Sequence, residues 1–289
     1  MTSNPKKPKV ALIYDFDKTL STKDMQEYSL IPLFGMVPKE FWDRSNSFAK
    51  DNAMYKNLAY LWTIITVAKE RNIPLTRELF VEMGKDVEFY SGVMEWFDNI
   101  NGLGEQIGVE VEHYIISSGL REMIEGTPIA KYLKEVFACE YLYDDNGAPC
   151  WVKNVINYTT KTQFLFRINK DALDISDEKK VNEFIYHRDR DVPFENMIYF
   201  GDGSTDIPCM KLVHVNGGHS VAVYANEKMK RVAEELYKDH RVTFMECADY
   251  SKNGALYKIV FDVMNRIKYE DRLYHRSEGY GIDRKDYSK

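Results

Sequence analysis

The apolar run Val10-Ala11-Leu12-Ile13-Tyr14 ends directly in Asp15-Phe16-Asp17-Lys18-Thr19-Leu20. A short run of this kind reads as a buried strand that leaves the core into a loop. Alternate residues of an extended segment share a face, so Asp15 and Asp17 can converge on one ligand while Phe16 turns inward. A second such junction lies far downstream, where Met197-Ile198-Tyr199-Phe200 runs into Gly201-Asp202-Gly203-Ser204-Thr205-Asp206. Glycines on both sides of Asp202 let backbone approach a ligand closely, and Asp206 follows one helical turn later if a helix begins there. A helix cap after a turn accounts for one aspartate of this cluster. It does not account for acidic clusters at two strand ends.

Two further segments carry polar groups at places where apolar runs stop. Val111 to Ile116 leads into Ser117-Ser118-Gly119, with a helix expected from Leu120. A hydroxyl and free N–H groups at a helix start form an anion site. Lys161, in Tyr158-Thr159-Thr160-Lys161-Thr162, is a candidate cation, although any one of 39 basic residues can equally be a solvated surface charge. Further on, Val221–Tyr224 and Val242–Phe244 read as strands separated by a helix over Lys228–Lys238. This alternation predicts a Rossmann-like α/β core, a parallel sheet with helices on both faces that binds ligands beyond the carboxyl ends of its strands.

Residues 21–90 show helical periodicity and no strand. Helices are expected over Lys23–Leu33, Pro38–Lys50, Asn52–Glu70 and Thr76–Gly84, with Pro38 at a helix start and Asn72-Ile73-Pro74 as a break. The segment reads as a helical cap inserted after the first strand, leaving 1–20 and 91–289 as a discontinuous core. Aromatics such as Phe41, Trp42, Phe48, Tyr55, Tyr60 and Trp62 fit a small core within it. A helix from Ser91-Gly92-Val93 through Asn101 returns the chain to the sheet, and Asp144-Asp145-Asn146-Gly147 marks a hairpin turn. Residues 162–195 read as a charged, helical insertion, and 266–289 as a solvated helix or a loose tail.

Composition narrows the class of partner. The hydrophobic share of 44%, the charged share of 29% and the net charge of −6 describe a soluble globular chain with no basic surplus for nucleic acid. The most apolar long run, Leu58 to Ala68, falls far short of the ~20 residues that span a bilayer, so no membrane partner is expected. Met1 to Lys9 lacks a secretory pattern, and the four scattered cysteines, Cys139, Cys150, Cys209 and Cys247, lack CxxC spacing. Free buried thiols in a reducing cytoplasm are the expectation, with Cys209 in a helix packed beneath the second acidic cluster. Oligomeric state leaves no trace in the sequence.

Taken in order, DFDKTL, SSG, a lysine and GDGSTD resemble the four motifs of the haloacid dehalogenase superfamily, and in style its phosphoserine phosphatase-like members. The resemblance implies an Mg²⁺-dependent hydrolase of a small phosphorylated metabolite. Asp15 would be the nucleophile and Asp17 the acid and base. Ser117, Ser118, Gly119 and Lys161 would hold the phosphoryl oxygens. Asp15, the Asp17 carbonyl, Asp202 and Asp206 would hold the metal. Asp24 falls at the offset of the acid that binds the substrate ammonium in phosphoserine phosphatases, and it can equally cap a helix beginning near Thr22. Lys18 stands where relatives often carry glycine. A phosphotransferase or phosphomutase would use the same motifs, and a non-catalytic phosphometabolite-binding protein is the alternative from a different class. A dehalogenase would need neither the second aspartate nor a carboxylate metal site.

Overall fold

The computed structural model describes residues 7–278. The first strand, β1 (Lys9–Tyr14), is apolar and buried from Val10 onward because it lies inside the sheet with cover on both faces. The chain then passes through α1 (Leu30–Leu33), α2 (Pro38–Asp51), α3 (Lys56–Glu70) and α4 (Arg77–Met83), and re-enters the sheet layer through α5 (Val93–Ile107). Next come β2 (Glu110–Leu120), α6 (Arg121–Glu125) and the hairpin of β3 (Glu135–Tyr143) and β4 (Pro149–Asn154). After α7 (Lys161–Asn169) and α8 (Glu178–Asn182), the chain forms β5 (Met197–Gly201), α9 (Ile207–Val215), β6 (His219–Tyr224), α10 (Glu227–Lys238), β7 (Phe244–Cys247) and α11 (Ala255–Glu278).

The seven strands lie in the order β4-β3-β2-β1-β5-β6-β7, parallel except for the β3–β4 pair. The chain steps from β1 toward one edge through β2 and toward the other through β5 and β6. Right-handed crossovers therefore put α5 on one face and α9 and α10 on the other. The strand order reverses at β1, and the crevice beyond its carboxyl end is where such sheets bind ligands.

The two passages between the sheet and the helical insert run side by side. Thr22 N–H donates to the Glu88 carbonyl at 2.9 Å, Tyr90 N–H donates to the Leu20 carbonyl at 2.9 Å, and Ser21 and Phe89 form an antiparallel bridge. Within the insert, Phe41 and Tyr60 are buried, whereas Tyr55 and Trp62 are exposed and Trp62 stacks on Phe48 at the surface. The expected aromatic core is therefore partial.

Several elements differ from the sequence reading. Lys23–Leu33 is not one helix: it holds a 3₁₀ turn, Met25–Glu27, and the single turn α1, because Met25 is tied down by the neighbouring loop. The helix expected from Asn52 starts at Lys56, since Ala53 takes a left-handed φ of 48° that closes α2. Conversely, α5 runs beyond Asn101 to Ile107, and Gly104 lies inside it because a Cβ there would overlap the Val111 side chain on β2. The insertion over 162–195 is α-helical only in α7 and α8, with short 3₁₀ turns at His187–Asp189 and Phe194–Asn196. Between α7 and α8 the buried Arg167 guanidinium donates to the carbonyls of Ala172, Asp174 and Ile175, which turns backbone inward and breaks helical pairing. Of the four thiols, Cys139 and Cys209 are buried and Cys150 and Cys247 exposed, so burial holds for only two. The tail reading is helical through α11, and residues 279–289 lie outside the described residues. None of the described helices is long and apolar enough to cross a membrane.

Candidate active site

The end of β1 is locked to the end of β5. Asp15 N–H donates to the Phe200 carbonyl at 2.8 Å, which sets the first acid beside Gly201 and Asp202. One oxygen from each of Asp15, Asp202 and Asp206 lies within 4.8 Å of the others. Asp206 is the residue before α9 and is fully buried. Gly201 makes this possible, because a Cβ there would lie 2.6 Å from the Asp206 carboxyl carbon.

Lys161, the first residue of α7, reaches into the same cluster. Its Nζ is 2.9 Å from Asp15 Oδ1 and 2.8 Å from Asp206 Oδ1, and its side chain is fully buried. Tyr199 O–H donates to the same Asp206 oxygen at 2.8 Å. Asp206 Oδ2 is buried with no hydrogen-bond partner among the described residues.

This arrangement holds more negative charge than it neutralises. Two like charges about 4 Å apart cost ~4 kcal/mol at an effective dielectric of 20. Burial, and then the Asp206 charge, push the Asp15 carboxyl up to about 7 against the pull of Lys161. Burial, Asp206 and Asp15 push Asp202 well above the usual carboxylate range. Burial works against the Lys161 ammonium, but Asp15 and Asp206 outweigh it and keep its pKa above the ordinary lysine value. An oxygen-only donor set with surplus charge and one orphaned carboxylate oxygen fits a hard divalent cation.

The second acid of the first loop faces a different set of neighbours. Asp17 Oδ1 accepts the Met25 N–H at 2.7 Å, and a Cβ on Gly119 would lie 3.1 Å from Asp17 Oδ2. The absence of a side chain at Gly119 therefore lets Met25 and Asp17 close over it. Burial first, then the charges of Asp24 and Asp15, hold the Asp17 carboxyl well above its usual range. The β1–β2 register pairs Tyr14 with Ile115, so Ser117 projects beyond that rung on the strand beside Asp15. Ser117 is buried and its Oγ accepts the Gly119 N–H at 2.9 Å. The Ser118 carbonyl accepts the Tyr60 O–H from α3 at 2.6 Å.

Asp15, Asp202, Asp206 and Lys161 thus form one cluster, with Asp17 and the Ser117–Gly119 end of β2 at its edge. Asp24 stands apart from the triad. It precedes the 3₁₀ turn at Met25 but makes no side-chain cap bond, and pairs with Lys18 instead. Lys18 has a φ of 58°, a left-handed conformation that glycine adopts without strain.

Sequence reasoning passed over Tyr199, Met25 and Tyr250. Tyr199 sits mid-strand in an apolar run and reads as core, and only its buried hydroxyl hints at a polar partner. Met25 carries no chemical signal, yet its sulfur accepts the Leu120 N–H at 3.2 Å. Tyr250, from beyond β7, donates to the Thr19 carbonyl at 2.8 Å and pins the first acidic loop from beneath.

The ends of the central strands β1 and β5 thus bring three acids together, two of them bridged by one buried lysine. The family model for haloacid dehalogenase-like hydrolases matches residues 12–211, and the chain belongs to that family. An uncharacterized protein of Borreliella burgdorferi is 28% identical over 284 residues, a match covering 88% of this chain and 95% of that protein. Among solved structures, a haloacid dehalogenase family hydrolase from Salmonella enterica serovar Typhi superposes with a TM-score of 0.54 at 17% identity, over 78% of this chain and 66% of that one. A substrate-bound phosphoserine phosphatase gives a TM-score of 0.53 at 17% identity, over 81% of this chain and 99% of that one. At these identities the likeness is one of fold.

Proposed function

We propose that the protein is a magnesium-dependent phosphatase that hydrolyses a small phosphomonoester through a phosphorylated Asp15. The observation that carries this reading is the enclosed triad of Asp15, Asp202 and Asp206, with Lys161 between two of its members. In this reading residues 21–90 act as a cap over a core formed by 1–20 and 91–289. The paired passages at Leu20–Thr22 and Glu88–Tyr90 provide the hinge.

Asp15, the Asp17 carbonyl, Asp202 and Asp206 would hold the cation, which when bound neutralises carboxylate and phosphate charge at the site. The chain's own groups account for the remaining chemistry. An Asp15 oxygen attacks phosphorus in line as the bond to the leaving oxygen breaks, and Asp17 gives its proton to the departing alkoxide. Burial and the neighbouring Asp24 and Asp15 charges favour the protonated form of Asp17, as that task requires. The aspartyl-phosphate is then attacked by water, whose proton returns to Asp17, and inorganic phosphate leaves. Ser117, the N–H groups around Ser118 and Gly119, and the Lys161 ammonium hold the phosphoryl oxygens through both steps.

Phosphoserine is a natural first substrate to assay, given the substrate-bound phosphoserine phosphatase that shares the fold. The test is release of inorganic phosphate from p-nitrophenyl phosphate and a panel of phosphorylated metabolites, with Mg²⁺ and with EDTA. Mg²⁺-dependent release that Asp15→Asn removes is the expected result. Equal release in EDTA, or full activity in Asp15→Asn, overturns the reading.

A further inference from the structure

The first acidic loop carries a cation of its own. Lys18 Nζ lies 2.5 Å from Asp24 Oδ2, and the two side chains are 42% and 25% exposed. The Lys18 backbone is left-handed, and Asp17, the residue before it, feels the charges of both Asp24 and Lys18. Met25, which follows Asp24, gives its N–H to the Asp17 carboxylate. Asp24 and Lys18 therefore flank the group that protonates the leaving oxygen, where the substituent of a departing alcohol must lie.

At such a position a bare carboxylate would attract a substrate ammonium. Here that carboxylate already has one, supplied by the chain. We propose that Lys18 fills the Asp24 subsite from within, so that the enzyme takes phosphomonoesters whose leaving group lacks an ammonium and discriminates against amino-bearing ones. This inference rests on the phosphatase reading above and adds the class of substrate. An ammonium-bearing ester must displace Lys18 from Asp24 and leave a second cation beside it. An ester without the amine leaves the pair intact.

Two probes differ only in this group: O-phosphoserine and its deamino analogue, 3-phosphooxypropanoate. Their kcat/KM values, or their inhibition constants against p-nitrophenyl phosphate hydrolysis where turnover is slow, give a preference ratio. Wild type is expected to favour the deamino analogue by at least about tenfold. Lys18→Gly keeps the left-handed backbone without strain, and Lys18→Met keeps the side-chain bulk without the charge. Both are expected to shift the ratio at least about tenfold toward phosphoserine. Lys18→Gly/Asp24→Asn is expected to return it to the wild-type side.

An unchanged ratio in both single variants overturns the proposal, as does a wild-type preference for phosphoserine. A shift that persists in the double variant shows that Asp24 is not the receiving carboxylate and overturns it as well. Activity toward p-nitrophenyl phosphate is measured in every variant. Its absence from wild type is the failure of the phosphatase reading, and the ratios measured with that activity present bear on the Lys18–Asp24 pair.

Discussion

The N–H of Asp15 donates to the carbonyl of Phe200 at 2.8 Å, so two acidic segments separated by most of the chain meet on one rung of the sheet. That rung sets where charge gathers.

Asp15→Asn is expected to reduce phosphate release by at least about a thousandfold, because an amide does not attack phosphorus. Thermal melting in EDTA should match or exceed wild type, since a buried acid pushed up to about 7 has been removed. Loss of activity together with loss of the folded transition would assign Asp15 a structural role instead.

Lys161→Met leaves Asp15 and Asp206 buried without their shared cation. Removing one partner of a buried ion pair costs about 3–5 kcal/mol. Urea melts in EDTA should show a loss of that size, and Lys161→Met/Asp206→Asn should recover part of it. A loss below about 1 kcal/mol in the single variant would mean that the pair is not buried as described.

Asp202→Asn removes one of three crowded carboxylates. Without metal, the variant should be more stable than wild type by about 1–2 kcal/mol, as one like-charge contact is relieved. With Mg²⁺ the order should reverse, because wild type gains from binding and the variant gains little. Equal Mg²⁺-induced rises in melting temperature would remove Asp202 from the metal set.

His113 provides a pH dependence separate from the site. It is buried between the Tyr14 hydroxyl and the Asn101 amide oxygen, each 3.1 Å from a ring nitrogen, and burial lowers its pKa to about 3. An unfolded histidine titrates near ~6.5, so unfolding takes up a proton at pH values between these two. The His113 contribution is complete above about pH 6.5 and is lost as pH falls toward 3. Asp15 acts in the opposite sense: its folded value near 7 exceeds the ordinary 3.8, so in metal-free protein it adds stability as pH falls through that interval. Comparing His113→Asn with wild type isolates the histidine. The stability of wild type relative to the variant should fall as pH drops from 6.5 to 4, by up to ~1.4 kcal/mol per pH unit. Parallel profiles would place His113 in water-accessible surroundings.

Much of this architecture could be read from the sequence because short apolar runs ending in acids carry both a period and a chemistry. Val10–Tyr14 and Met197–Phe200 could be placed as buried strands, and the alternation after them as a parallel sheet. Lys161 could be named but not located, since its approach to Asp15 and Asp206 depends on the hairpin of β3 and β4 and the start of α7. The irregular stretch around Met25 was not legible, because its backbone follows bonds to Asp17 and Leu120 and not a local preference. Arg167 likewise looks like an ordinary helix residue until its guanidinium is seen gathering carbonyls from the following loop. Tyr199 and Tyr250 act through single hydroxyls on otherwise apolar positions, which no periodicity reveals.

The Tyr250 hydroxyl that holds the Thr19 carbonyl has a consequence for synthesis on the ribosome. The loop carrying Asp15 emerges well before its backbone partner Phe200 and its support Tyr250. Until then Asp15 lacks the two carboxylates that complete its cluster, and a fragment ending before Tyr250 lacks the hydroxyl that holds the Thr19 carbonyl.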